Sequence, residues 1–126
     1  MKRALIVSAL VMAGWPMFAG AMAHGGAPAM DEGGVLVGPN KMTLYTFDKD
    51  TVAGKSACNG GCATNWPPLK AAADAKDMGP WTVVTRDDGT KQWAYKGKPV
   101  YYWAKDSKPG DKTGDGVGGV WKIATP

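Results

Sequence analysis

Two short stretches carry the side chains best suited to chemistry. Leu44–Asp50 reads LYTFDKD, and Val100–Asp106, fifty-six positions later, reads VYYWAKD. Each presents a tyrosine, a second ring two places on and an aspartate three places after that: Tyr45, Phe47 and Asp50, then Tyr101, Trp103 and Asp106. Neighbouring carboxylates such as Asp48 and Asp50 have the chemistry for acid–base work. Aspartates at strand ends are more commonly turn formers that accept backbone N–H bonds. The two cysteines, Cys58 and Cys62, offer a disulfide, a thiol-exchange pair or part of a metal site.

Several kinds of chemistry fail on residue inventory. The single histidine, His24, and the single glutamate, Glu32, both lie near the start of the chain, so no Ser-His-Asp set is available. A haem attachment needs a histidine after the second cysteine, where Ala63 stands. Zinc lacks further Cys or His ligands. Asp111, Thr113, Asp115 and Gly116 imitate the start of a calcium loop, but its closing position is Lys122. His24 at a mature N-terminus suggests copper, but a second histidine is missing. No metal and no cofactor is therefore expected.

The elements that must hold these residues read as strands. Val35–Val37, a Gly38–Lys41 turn and Met42–Phe47 form strand, turn, strand. Trp81–Arg86, Lys91–Tyr95 and Val100–Trp103 form a meander, with Asp88-Gly89 and Gly97 at its turns. Val120–Ala124 closes the fold, and a short helix is expected near Ala71–Lys76. Residues two apart in a strand share a face, so Tyr45 pairs with Phe47, and Tyr101 with Trp103. All four rings are expected to be mostly buried, with Asp50 and Asp106 on backbone amides where each strand exits. The repeat extends further, because fifteen residues separate Asp50 from Trp66 and fourteen separate Asp106 from Trp121. The fold class expected is all-β: one small antiparallel domain of two related β units, about 35–70 and 91–124, with Gly-rich loops and at most one short helix.

Export is written at the start. Met1-Lys2-Arg3 is basic, Ala4–Met22 is apolar or small, and Ala21-Met22-Ala23 suits a signal peptidase. Residues 1–23 read as a signal peptide, 24–34 as a flexible leader, and 35–126 as the folded domain. Losing Lys2 and Arg3 lowers the formal charge from +4 to +2. The remaining lysines mix with aspartates rather than forming a stripe, which argues against nucleic acid as a partner. In an oxidising compartment Cys58 and Cys62 are expected to be bonded.

The paired motifs resemble the Y-x-[FWY]-x-x-D pattern of a bacterial family of predicted lipoproteins, also described as a secreted repeat of unknown function. Cys58–Leu69, reading CNGGCATNWPPL, resembles its cysteine loop, and Tyr95–Tyr101 its Gly-x-Pro turn. The resemblance covers about Val35 to Ala124 and implies no established catalysis. A loose family association with hydrocarbon utilisation exists, and no residue here argues for it. Many members carry a lipobox cysteine, which this chain lacks. The expected role is a non-catalytic, periplasmic or secreted module that binds an envelope component or a small ligand, or acts structurally. Trp66, Trp93 and Trp121 are the candidate ligand face. The alternative is redox or electron transfer through the Cys pair or a bound metal.

Overall fold

The computed structural model describes residues 27–126. The expected signal peptide, Met1–Ala23, lies outside the described residues. No helix among them is long and apolar enough to cross a membrane. The strands are β1 (Met30–Glu32), β2 (Val35–Val37), β3 (Tyr45–Phe47), β4 (Lys70–Ala71), β5 (Trp81–Thr85), β6 (Lys91–Tyr95), β7 (Lys98–Tyr101) and β8 (Trp121–Ile123). Among the described residues one short helix, α1 (Gly61–Asn65), and a 3₁₀ turn at Val117–Gly119 complete the elements. The described domain is thus all-β, with antiparallel pairing throughout.

The larger sheet has six strands in the order β4-β6-β7-β3-β8, with β5 on the other side of β6. Its centre is the pairing of the two motif strands, where Tyr45 lies opposite Tyr101 and Thr46 opposite Val100. β8 then flanks β3, placing Phe47 opposite Trp121. Strand periodicity sends successive side chains to opposite faces. Leu44 and Val100 therefore enter one core with Leu36, Leu69, Trp81 and Ala124. Tyr45 and Tyr101 enter the other, with Cys58, Trp66 and Trp121. Burying one large apolar side chain contributes about 1.5–3 kcal/mol, so a domain this size needs both clusters.

Turn chemistry fixes the register. Lys96 and Gly97 both take positive φ, 50° and 85°, between the paired residues Tyr95 and Lys98. That is the twist a two-residue hairpin favours, and it aligns β6 with β7. At the β5–β6 turn, Gly89 adopts φ 87° and the Asp88 carboxylate accepts the Thr90 N–H. The expected meander is formed, and the closing strand appears as β8.

Three expectations are corrected. The stretch read as a flexible leader contributes β1, whose Met30–Glu32 pairs residue for residue with Val35–Val37. Its side chains are exposed, so composition gave no sign of it. It is held by backbone bonding to an edge strand that would otherwise leave its amides open. The helix lies not at Ala71–Lys76 but at Gly61–Asn65, because Ala71 is taken by pairing with Lys91. The Cys58–Cys62 bond and Gly60 at φ 59° fold the chain back into α1. Finally, the second unit is joined by β5, which pairs along the whole of β6 from Trp81 to Thr85.

Candidate functional site

The two motifs meet at the centre of the sheet and exchange partners. The Tyr45 hydroxyl donates to Asp106 Oδ2 at 2.6 Å, and the Tyr101 hydroxyl donates to Asp50 Oδ2 at 2.6 Å. Each tyrosine thus bonds the aspartate of the other repeat. The second carboxylate oxygen does matching duty in both halves. Asp50 Oδ1 accepts the Ala57 N–H at 2.6 Å, and Asp106 Oδ1 accepts the Thr113 N–H at 3.0 Å. Both acceptors hold an amide seven residues further on, well into the following loop rather than at the strand exit. Thr113 Oγ1 adds a bond to Asp106 at 2.6 Å.

Tyr45 and Tyr101 have no exposed surface, and Asp106 is 8% exposed. Phe47, Trp103 and Asp50 are half-buried rather than mostly buried. Burial raises the Tyr45 phenol well above its usual range, and the Asp106 carboxylate raises it further. Burial and the bond to Asp50 do the same to Tyr101. Asp50 itself is pushed up by burial, against the opposing pull of its bonds from Tyr101 and Ala57. Desolvation penalises the charged form in every case.

Each tyrosine oxygen also takes a second bond. Gly114 N–H donates to the Tyr45 oxygen at 3.2 Å. The Ser56 hydroxyl lies 2.6 Å from that of Tyr101, whose own proton is committed to Asp50, so serine is the donor. Ser56 belongs to a buried network that sequence reasoning missed. Arg86, 5% exposed, donates to Ser56 Oγ at 3.0 Å, Gln92 Oε1 at 2.7 Å and Cys58 O at 2.6 Å. Gln92 continues to Val100 O at 2.8 Å. A buried charge needs such bonds to offset desolvation. Little in the sequence signals this, since Arg86 directly precedes an Asp-Asp-Gly turn and reads as a surface residue.

Behind the tyrosines lies a column of rings. Trp103, Trp66, Trp121 and Phe47 stack in that order, alternating between the repeats. Tyr45 meets Trp66 edge-on, and Tyr101 meets Trp121 edge-on. Gly114 sits where this packing is tightest: an added Cβ would lie 2.8 Å from Trp66 and 2.9 Å from Tyr45. The three residues of the candidate ligand face are not brought together. Trp66 and Trp121 are each 4% exposed, with both indole faces covered by other rings. Trp93 is separate from them, edge-on to Trp81 in the other core.

Cys58 and Cys62 form a disulfide. Cys58 is fully buried against the column, and Cys62 is half-buried. In the loop that imitates a calcium site, the Asp111 carboxylate is already engaged by Lys108 and Ser107. The Lys108 ammonium, then the Ser107 bonds, hold that carboxyl below its usual range. Thr113 faces Asp106 instead. Asp48 pairs with Lys122 at 2.6 Å, and so does not share a site with Asp50.

An apolar groove of about 430 Å³ opens on the other side of the molecule. Its walls include Met30, Leu36, Met78, Pro80, Trp81 and Tyr95.

Neither a curated protein nor a solved structure matches the chain. A family model does, twice, over residues 29–70 and 82–125, and its description is a secreted repeat of unknown function. Each exchanged Tyr–Asp pair joins one match to the other, and β1–β4 fall in the first and β5–β8 in the second except for Ala71 and Trp81 at their inner ends. The chain belongs to this family of secreted repeats, two copies of which are closed on each other here.

Proposed function

We propose that the protein is a non-catalytic module of the periplasm or the secreted fraction in which the repeated motif clasps the fold. The observation that carries this reading is the exchange itself. Both tyrosine hydroxyls and both aspartates of the motif are bonded inside the protein, and both hydroxyls lie beyond the reach of solvent. The disulfide supports the same view. Thiol exchange proceeds by attack on an accessible sulfur; Cys58 is fully buried, which leaves half-buried Cys62 as the one point of attack.

A binding role has its own observation in the groove beside Trp81. Its volume of about 430 Å³ falls within the range of small-molecule sites, about 300–1,000 Å³. With Met, Leu, Pro, Trp and Tyr on its walls, the suited occupant is a small apolar compound. Adaptable methionine side chains would conform to it.

Two measurements test these readings. Insulin reduction by the purified protein should not exceed the uncatalysed background; turnover above it would sink the non-catalytic reading. A neutral apolar fluorescent probe, N-phenyl-1-naphthylamine, should bind the folded protein saturably and lose affinity in Met78→Glu. Equal binding by both proteins would remove the groove from consideration.

A further inference from the structure

The ring column is more regular than core packing requires. Trp103 and Trp66 have centroids 3.9 Å apart and planes tilted by 26°; Trp66 and Trp121 are 3.7 Å apart and tilted by 4°. Aromatic pairs in proteins prefer offset or edge-on arrangements with centroids about 4.5–7 Å apart. Here three indoles overlap face to face, which is the geometry that lets a positive charge spread over neighbouring rings. Indole and phenol are also the aromatic side chains that lose an electron most readily.

The phenols are placed to accept such a charge. Tyr45 lies edge-on to Trp66 at 5.4 Å, and Tyr101 edge-on to Trp121 at 5.2 Å. A phenol gives up its electron far more easily when its proton can leave at the same time. Both phenols already donate to a carboxylate at 2.6 Å. The column reaches the surface through an indole at one end only, at half-buried Trp103, where Lys105 Nζ stands 5.8 Å from the ring centroid. Phe47, at the other end, has a ring too hard to oxidise to pass charge on.

The geometry points to a relay for single oxidising equivalents, running from Trp103 through Trp66 and Trp121 to Tyr45 and Tyr101. The external reactant is a one-electron oxidant, a small radical or a high-potential metal centre, and Lys105 favours an anionic one. The oxidant gains one electron from Trp103. The vacancy passes to Trp66, and Tyr45 then fills it with its own electron. As it does so, the Tyr45 proton moves to Asp106 Oδ2, leaving a neutral tyrosyl radical and a protonated carboxyl. The branch through Trp121 ends in the same way at Tyr101 and Asp50. One electron leaves the protein, one proton moves along an existing hydrogen bond, and no bond to a substrate is made. The relay rests on ring geometry and is independent of the groove and of the clasp's contribution to stability.

Pulse radiolysis of the full chain in azide solution tests it, because the azidyl radical oxidises indole first. Tryptophanyl absorbance should decay as tyrosyl absorbance rises, at a rate independent of protein concentration and slower in deuterium oxide. Tyr45→Phe/Tyr101→Phe, shown to be folded by near-ultraviolet circular dichroism, should lower that rate by about ten-fold or more. Should that double variant not fold, Trp103→Phe, which keeps a ring at a half-buried site, should slow tyrosyl formation while Trp93→Phe, outside the column, leaves it unchanged. A rate proportional to protein concentration, a wild-type rate in the folded double variant, or equal effects of the two Trp variants would overturn the relay.

Discussion

Tyr45 and Tyr101 are direct partners across β3 and β7, yet neither hydroxyl bonds the aspartate five residues ahead in its own repeat. Each crosses to the other repeat's loop. The clasp therefore ties β3 to the Asp106 loop and β7 to the Asp50 loop, and double-mutant cycles can read this crossing. Tyr45→Phe and Asp106→Ala should couple by about 1–2 kcal/mol in denaturant melts, whereas Tyr45→Phe and Asp50→Ala should add within about 0.5 kcal/mol. Coupling within a repeat instead would mean that the partners are not exchanged. As a single change Asp106→Ala should cost more than Asp50→Ala, because Asp106 is the more buried and also holds Thr113.

Gly114 is close to three rings at once. Gly114→Ala should destabilise by about 1–3 kcal/mol, the scale for forcing a methyl into a filled core. Gly61→Ala is the control, since nothing lies within 4 Å of its Cβ position and it sits in α1. There the same change should be neutral or mildly stabilising. Similar melting temperatures for the two variants would show that the column has slack.

Arg86 joins β5's end to the cysteine loop. Arg86→Met should cost about 3 kcal/mol, because Cys58 O, Ser56 and Gln92 lose a charged donor in a buried place. Urea unfolding would measure this, and a loss below about 1 kcal/mol would assign the network little energetic role.

Reduction of the Cys58–Cys62 bond should lower stability by about 2 kcal/mol, since so short a loop restrains the unfolded chain only modestly. Intact mass with alkylation supplies the companion check. Protein from the export compartment should show no alkylatable thiol until a reductant is added.

Alkaline pH should unfold the protein through the phenols. Burial raises Tyr45, Tyr101 and Tyr102 above their ordinary values, whereas the unfolded chain ionises near pH 10. Above that pH the unfolded state has lost protons that the folded state keeps, so stability is full below pH 10 and falls beyond it. Each such phenol contributes a slope of about 1.4 kcal/mol per pH unit. Tyr45→Phe should flatten the fall by that amount in melts between pH 9 and about 12; an unchanged slope would contradict the raised ionisation. Asp50 acts in the opposite part of the scale. Its raised carboxyl contributes stability that is present below the ordinary carboxylate value and lost as pH rises through the folded one.

The local parts of this arrangement were legible in the sequence. Alternation placed Tyr45 and Tyr101 on a buried face, and an aspartate after each strand announced an acceptor for backbone amides. The exchange was not legible. Both aspartates stand at the same spacing from their own tyrosines, so spacing alone cannot tell a bond within a repeat from one between repeats. Trp66 and Trp121 are remote in sequence and meet only once β3, β7 and β8 are side by side, so a ligand face and a stacked core read alike. The helix was misplaced for a related reason. Ala71–Lys76 has helical composition, but pairing of Ala71 with Lys91 outweighs a weak local preference.

A lone copy of the repeat would hold a tyrosine with no carboxylate and a carboxylate with no tyrosine. Two copies facing each other would satisfy both, by the self-complementary contact that a twofold dimer uses. The contact between the two halves of the single chain therefore has the reciprocal form of a twofold interface, with one covalent connection between β4 and β5. Joining the halves also releases them from identity. One loop keeps its disulfide while the other uses Thr113, a divergence that two identical subunits could not undergo.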